Sequence, residues 1–209
     1  MMDENLVPDI VINRLPWYLQ ILKQMADEGM HTVSSSVLAE KLGSTATQIR
    51  RDLSFFGGFG KQGQGYPIEN LIEELESILN IDRIWPMIIV GAGNLGRALA
   101  CYQGFQSHGL KVAMLFDNAP NVVGTLVGDL VVKHVDSLTE EVKNNRIKIA
   151  ILTVPSSAAQ KIADQLVEAG IKAILNYASV TLVVPSFIRV QHIDPTLHLQ
   201  RMLYYLEEN

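Results

Sequence analysis

The chain has 209 residues, 48% hydrophobic and 19% charged, with a net charge of −5. That length suits one large domain or two small ones, and that much apolar material argues against a disordered chain. A single cysteine, Cys101, excludes an intramolecular disulfide. No apolar run approaches the length of a membrane span, and the acidic start Met1–Asn5 has no leader pattern, so a cytoplasmic location is expected. The acidic balance does not exclude nucleic acid, because the charge that matters is local. Between Lys41 and Gln62 stand Lys41, Arg50, Arg51 and Lys61 against one acid, Asp52.

Up to about residue 82, apolar residues recur at helical spacing. The pattern predicts a first helix from about Pro8 to Glu28, closed by Gly29. A second helix, capped by one of Ser34, Ser35 or Ser36, carries Leu38 and Leu42 and stops at Gly43. Thr45 and Gln48 have capping-box spacing and open a third helix that runs to about Phe56. With Ile49 at the centre of its inward face, Leu53 and Phe56 lie beside it. Thr47, Arg51 and Ser54 then fall opposite, flanked by Gln48 and Arg50. Two short helices joined at Gly43 fit a helix-turn-helix, and the outer face carries donors suited to base edges and phosphates. The glycine-rich stretch Gly57–Tyr66, with Lys61, reads as a β-wing. Ile68, Leu71, Ile72, Leu75, Ile78 and Leu79 mark a fourth helix.

Beyond residue 82 short Val/Ile-rich runs alternate with helical stretches, the signature of an α/β domain. Strands are expected at Met87–Val90, Lys111–Phe116, Leu130–Val135, Ile147–Val154, Lys172–Tyr177 and Thr181–Val184. Helices are expected from Asn94 to about Ser107, with Cys101 a small buried residue within it, and from Ser157 to Ala169. The turn Gly91-Ala92-Gly93-Asn94-Leu95-Gly96 follows an apolar strand and opens a helix, the context a pyrophosphate site needs. Asp117 ends the next strand about 20 residues on, where an acid binds ribose hydroxyls. Its carboxylate would repel a 2′-phosphate, and Asn118-Ala119-Pro120 offers no arginine, so NAD(H) is favoured over NADP(H). The five histidines are scattered without metal-ligand spacing, and no metal is expected. Asp194-Pro195 starts a last helix with Leu199, Met202, Leu203 and Leu206 on one stripe, equally suited to its own domain or to a second subunit.

These motifs together resemble the Rex redox-sensing transcriptional repressors along nearly the whole chain. The resemblance is carried by Arg14–Leu19, Ser34-Ser35, Gln48–Gly57, Gly60–Tyr66, Gly91–Gly96, Leu152–Pro155, Gly170–Ala178 and Gln191–Asp194. It implies a homodimer that binds a palindromic operator and is released when NADH rises relative to NAD. It further implies that Ser35 joins the DNA face, and that Thr153, Val154, Pro155 and Asn176 line the cofactor site. Tyr102 is expected beside the nicotinamide. Asp194 is expected to begin a helix that packs on the partner. Two residues depart from the family pattern: Gln62 in the wing, where many relatives carry Arg or Lys, and Pro195-Thr196 at the last helix. The expected architecture is α/β: a winged-helix DNA-binding domain over 1–82, a Rossmann NAD(H)-binding domain over 83–193 and a swapped dimerisation helix over 194–209. An NAD-dependent oxidoreductase with a helical appendage is the alternative, and a coenzyme A-binding relative a third option. The first is weakened by the short chain, which leaves little for a substrate domain, and the second by Asp117.

Overall fold

The computed structural model describes residues 7–59 and 65–206. The chain divides into two compact units, 1–83 and 84–209. The first contains α1 (Asp9–Ile12), α2 (Leu15–Asp27), β1 (Thr32–Val33), α3 (Ser35–Leu42), α4 (Ala46–Ser54), β2 (Tyr66–Pro67) and α5 (Ile68–Ile78). The expected continuous first helix is broken into α1 and α2. Pro16 lacks the N–H that would bond the Ile12 carbonyl, and its ring clashes there, so a new helix begins with proline in its first turn. Ser34 caps α3 by accepting from Val37 N, and left-handed Gly43 closes it. Thr45 caps α4 by accepting from Gln48 N. The reciprocal half of that capping box is missing, because the Gln48 amide bonds Asp52 instead. The helix ends at Ser54, short of Phe56. Strand β2 pairs antiparallel with β1, a strand too short to be read from periodicity. Leu15, Leu22, Leu38, Ile49, Leu53, Ile68 and Leu75 form the buried centre of this unit.

The second unit contains β3 (Trp85–Val90), α6 (Asn94–Ala100), β4 (Leu110–Asp117), β5 (Leu126–Val127), β6 (Leu130–His134), α7 (Leu138–Asn144), β7 (Ile149–Leu152), α8 (Ser156–Ala169), β8 (Ala173–Asn176), β9 (Arg189–His192) and α9 (Pro195–Tyr204). The sheet order is β5-β6-β4-β3-β7-β8-β9. All neighbours are parallel except β5, which returns antiparallel on β6. Without that edge strand this is the doubly wound order of dinucleotide-binding folds, with its switch point between β3 and β7. Strand β3 explains why a parallel sheet reads as an unbroken apolar run: Ile88 and Val90 enter the core on one face, Met87 and Ile89 the core on the other.

Three expectations fail here. Residues 181–184 are not a strand. The Val183 backbone is satisfied by one side chain: Val183 N donates to Gln160 Oε1, and Gln160 Nε2 donates to Val183 O, both at 2.9 Å. The sixth parallel strand is instead β9, whose Arg189, Gln191 and His192 conceal it in the sequence. The helix after the glycine turn stops at Ala100, not Ser107. The Tyr102 ring folds over Gly104, where a Cβ would lie 2.4 Å from it, and meets Phe105 edge-on. A 3₁₀ segment, Gln103–His108, follows, and Cys101 is exposed at the helix end rather than buried within it.

Candidate functional site

The C-terminal ends of β3, β4 and β7 surround a cavity of about 830 Å³. Of the residues expected to hold a nucleotide, Gly91, Gly93, Asp117, Thr153, Val154 and Pro155 line it. The three glycines of the turn have distinct physical reasons. Gly91 has φ +106°, and a Cβ there would come within 2.6 Å of the Thr153 carbonyl oxygen. At Gly96 a Cβ would fall 1.8 Å from the Gly91 carbonyl oxygen, so α6 lies against the turn only without a side chain. At Gly93 a Cβ meets no atom within 4 Å. Protein packing therefore does not require that glycine, whereas a ligand approaching the exposed backbone beside the α6 N-terminus would.

Thr153 fixes the turn from β7, its hydroxyl donating to the Gly91 carbonyl oxygen at 2.8 Å. Arg97 fixes it from α6, donating to the Ala92 carbonyl oxygen at 2.8 Å and to Thr125 Oγ1 at 3.2 Å. Asp117 Oδ2 accepts from Ala92 N at 2.6 Å and Oδ1 from Ala119 N at 2.8 Å. The carboxylate is thereby fixed at the cavity wall, with two of roughly four acceptor sites in use.

The remaining residues of the turn support it from behind or above. Ala92 and Gly96 are buried, while Asn94 and Leu95 are exposed on the first turn of α6. Two expected cofactor residues are not brought to the cavity. Asn176 is fully buried, with its amide donating to the Ala178 and Val180 carbonyl oxygens, pairing with His192, and accepting from Ala178 N. That saturated arrangement holds the loop after β8. Tyr102 is 59% exposed and lies outside the cavity lining. Sequence reading missed Val135 and Asp136 after β6, and Ser157, Lys161 and Gln165 on α8, all of which line the cavity. Their spacing of about one helical turn along α8 was the available signal.

In the first unit α3 and α4 form the expected helix-turn-helix. Thr47, Arg50, Arg51 and Ser54 are exposed on α4. Arg50 is held in place, Nη1 donating to Ser35 Oγ at 2.9 Å and Nη2 to Thr47 Oγ1 at 3.2 Å. Gln48, expected on the DNA face, is half-buried, and its amide donates to Asp52 Oδ1 at 2.7 Å. Lys61 and Gln62 lie outside the described residues.

The group sequence reading missed altogether is Asp52. It is fully buried and accepts from Arg14, Tyr18 and Gln48. Burial alone would raise this carboxyl, but hydrogen bonds from Arg14, Tyr18 and Gln48 outweigh it and hold it below the usual range. The signal was present: Asp52 is the single acid of a basic segment, three residues from inward-facing Ile49.

At the other end, Asp194 caps α9 by accepting from Thr196 N at 2.9 Å. No residue of α9 is buried. Leu199, Met202 and Leu203, with Leu206 just beyond the helix, are each more than half exposed. Packing on its own domain is therefore not what this stripe does in a single chain.

Among family models, one described as "CoA binding domain" matches residues 82–180, and one described as "Putative DNA-binding protein N-terminus" matches residues 6–54. A protein of Chloroflexus aggregans named redox-sensing transcriptional repressor Rex is 48% identical over 199 residues, covering 95% of this chain and 94% of that protein. The protein of that name in Thermosipho africanus is 40% identical, covering 99% of each. A solved structure described as RSP in complex with beta-NAD+ and operator DNA is 40% identical. It covers 98% of this chain and 94% of its own, with a TM-score of 0.93. RSP in complex with beta-NADH matches at 38% identity, covering 98% and 96%, with a TM-score of 0.89.

Proposed function

This chain belongs to the Rex family of redox-sensing transcriptional repressors, and on that premise we propose that it binds a palindromic operator as a homodimer and leaves it when NADH rises relative to NAD. The observation that carries this reading is the pairing, in one chain, of a nucleotide turn whose Gly93 is open to a ligand with a helix-turn-helix. The pyrophosphate would sit on Gly91–Gly96 at the α6 N-terminus, and the ribose hydroxyls on Asp117. Thr153, Val154 and Pro155 would form the wall opposite. Arg51, Ser54, Thr47, Ser35 and Arg50 would face DNA, with Lys61 and Gln62 on the wing. Leu199, Met202, Leu203 and Leu206 would be covered by the second subunit, since an apolar stripe of that size left bare in a monomer marks an interface. A two-fold dimer reads half-sites about one helical turn apart.

The nucleotide acts on this reading as an effector and not as a reactant. NADH can release DNA only by preferring a conformation that fits the operator poorly, and operator must weaken NADH binding by the same factor. Coenzyme A fits the cavity less well, because the phosphate on its ribose would meet the Asp117 carboxylate. The test is a fluorescence-anisotropy titration of labelled operator duplex with NADH and NAD added separately. Micromolar NADH is expected to weaken DNA binding strongly, and NAD weakly or not at all. Equal DNA affinity with and without NADH defeats the proposal.

A further inference from the structure

The recognition helix is anchored by a carboxylate with no acceptor site left over. Asp52 Oδ2 accepts from Arg14 Nε and from the Tyr18 hydroxyl, each at 2.6 Å. Its Oδ1 accepts from Arg14 Nη2 at 2.8 Å and from Gln48 Nε2 at 2.7 Å. Four donors meet about four acceptor sites. Arg14 is the N-cap residue of α2 and Tyr18 lies in its first turn, 38 and 34 residues earlier in the chain.

We propose that Asp52 is a positioning residue for sequence readout: it fixes the roll of α4 against α2 and draws Gln48 inward, leaving Arg51 as the arginine presented to base edges. The proposal rests on reading the first unit as DNA-binding. Helix geometry links the two faces. At about 100° per residue, Asp52 lies roughly 60° from inward-facing Ile49, and Arg51 roughly 160° from it. A bond on the inward flank therefore sets where the outward guanidinium points. A roll of about 20° moves a side-chain tip by about 2 Å, beyond what a bidentate base contact tolerates. Arg50 is fixed separately on Ser35 and Thr47, so it does not compete for that place.

The chemistry requires a carboxylate. An asparagine amide nitrogen at either oxygen position would face two donors, and the Arg14 charge would lose its partner. Non-specific affinity comes from sequence-independent attraction between basic side chains and phosphates, and it does not depend on where one guanidinium meets a base. A rolled helix should thus keep its non-specific affinity and lose its specific one.

The experiment begins with a duplex selected by the wild-type chain from a random library, and a scrambled duplex of equal length. For Asp52→Asn, circular dichroism and NADH affinity are expected to match wild type at 20 °C. Affinity for the selected duplex should fall tenfold or more, while affinity for the scrambled one stays within about twofold at fixed salt. Tyr18→Phe removes one bond of four and should shift the same ratio in the same direction by less. It decides the matter alone if the asparagine variant does not fold. Folded variants that discriminate between the duplexes as well as wild type overturn the proposal, as does equal loss of both. If wild type enriches no palindrome, the repressor reading falls and the role of Asp52 with it.

Discussion

Asp52 and Asp117 are both aspartates fixed by hydrogen bonds, and they differ in what those bonds leave over. Asp52 is fully buried and receives four donors from three side chains. Asp117 is half-buried at a cavity wall and receives two backbone N–H groups among the described residues. A saturated carboxylate has nothing to offer a ligand and serves to hold helices in place. One held at two points, with two acceptor sites open, has room to accept from the paired hydroxyls of a ribose, the role proposed for it. On the proposed reading the same residue type would be a structural anchor in one unit and a recognition group in the other, and the count of unused acceptor sites would tell them apart.

The contrast can be broken most severely at Asp52. Truncation by Asp52→Ala leaves the Arg14 guanidinium and Tyr18 hydroxyl without their acceptor, and should cost the first unit about 3 kcal/mol, read from urea unfolding. A loss below about 1 kcal/mol would show that solvent reaching partly exposed Arg14 replaces the carboxylate. Asp117→Ala strips Ala92 N and Ala119 N of their acceptor and should cost the second unit about 1–2 kcal/mol in unfolding, less than at Asp52, while reducing NADH affinity by about tenfold to a hundredfold in calorimetry, the range for losing hydrogen bonds to a charged group. It should also narrow the preference for NADH over NADPH. Unchanged NADH affinity would remove Asp117 from the ribose site.

Gly93→Ala sharpens the comparison from the ligand side. Its Cβ touches no protein atom, so stability should hold while NADH affinity drops at least about tenfold; Gly96→Ala, with its Cβ 1.8 Å from a carbonyl oxygen, should disturb the turn itself. The smallest effect is the acid limb. The Asp52 carboxyl is held below its ordinary value, so its contribution is complete above about pH 4 and is lost as pH falls through the lowered value. The first unit should accordingly lose stability below about pH 4, and Asp52→Asn should flatten that slope. An unaltered slope would assign the acid sensitivity to other carboxylates.

Much of this was legible in the chain. Caps at Thr45 and Asp194 act through neighbours two or three residues away, so spacing alone reveals them; at α3 spacing narrows the cap to three serines, and the Val37 N–H picks out Ser34. The strands β3, β4 and β7 are apolar on both faces and announce themselves as continuous runs. What escaped depends on partners remote in sequence. Gln160 satisfies Val183 from 23 residues away and turns an apparent strand into a strapped loop. The polar strand β9 is a strand because β8 lies beside it. The side chain of Asn176, expected at the cofactor site, is engaged instead by the loop it supports, whose Ala178 and Val180 carbonyls fold back onto its amide.

By itself, then, the sequence determined the order of the two units, the glycine turn with its trailing acid, the face of α4 that bears arginine, and the apolar stripe of α9. Each follows from local periodicity or from the conformational needs of a few adjacent residues. Only the tertiary structure decided which polar groups remain open to a ligand. That depends on donors brought from distant parts of the chain, because a buried acceptor must be satisfied wherever the fold can supply a donor. Tertiary contacts saturated Asp52 and Asn176, turned Gln48 inward, and left Asp117 with acceptor sites in hand.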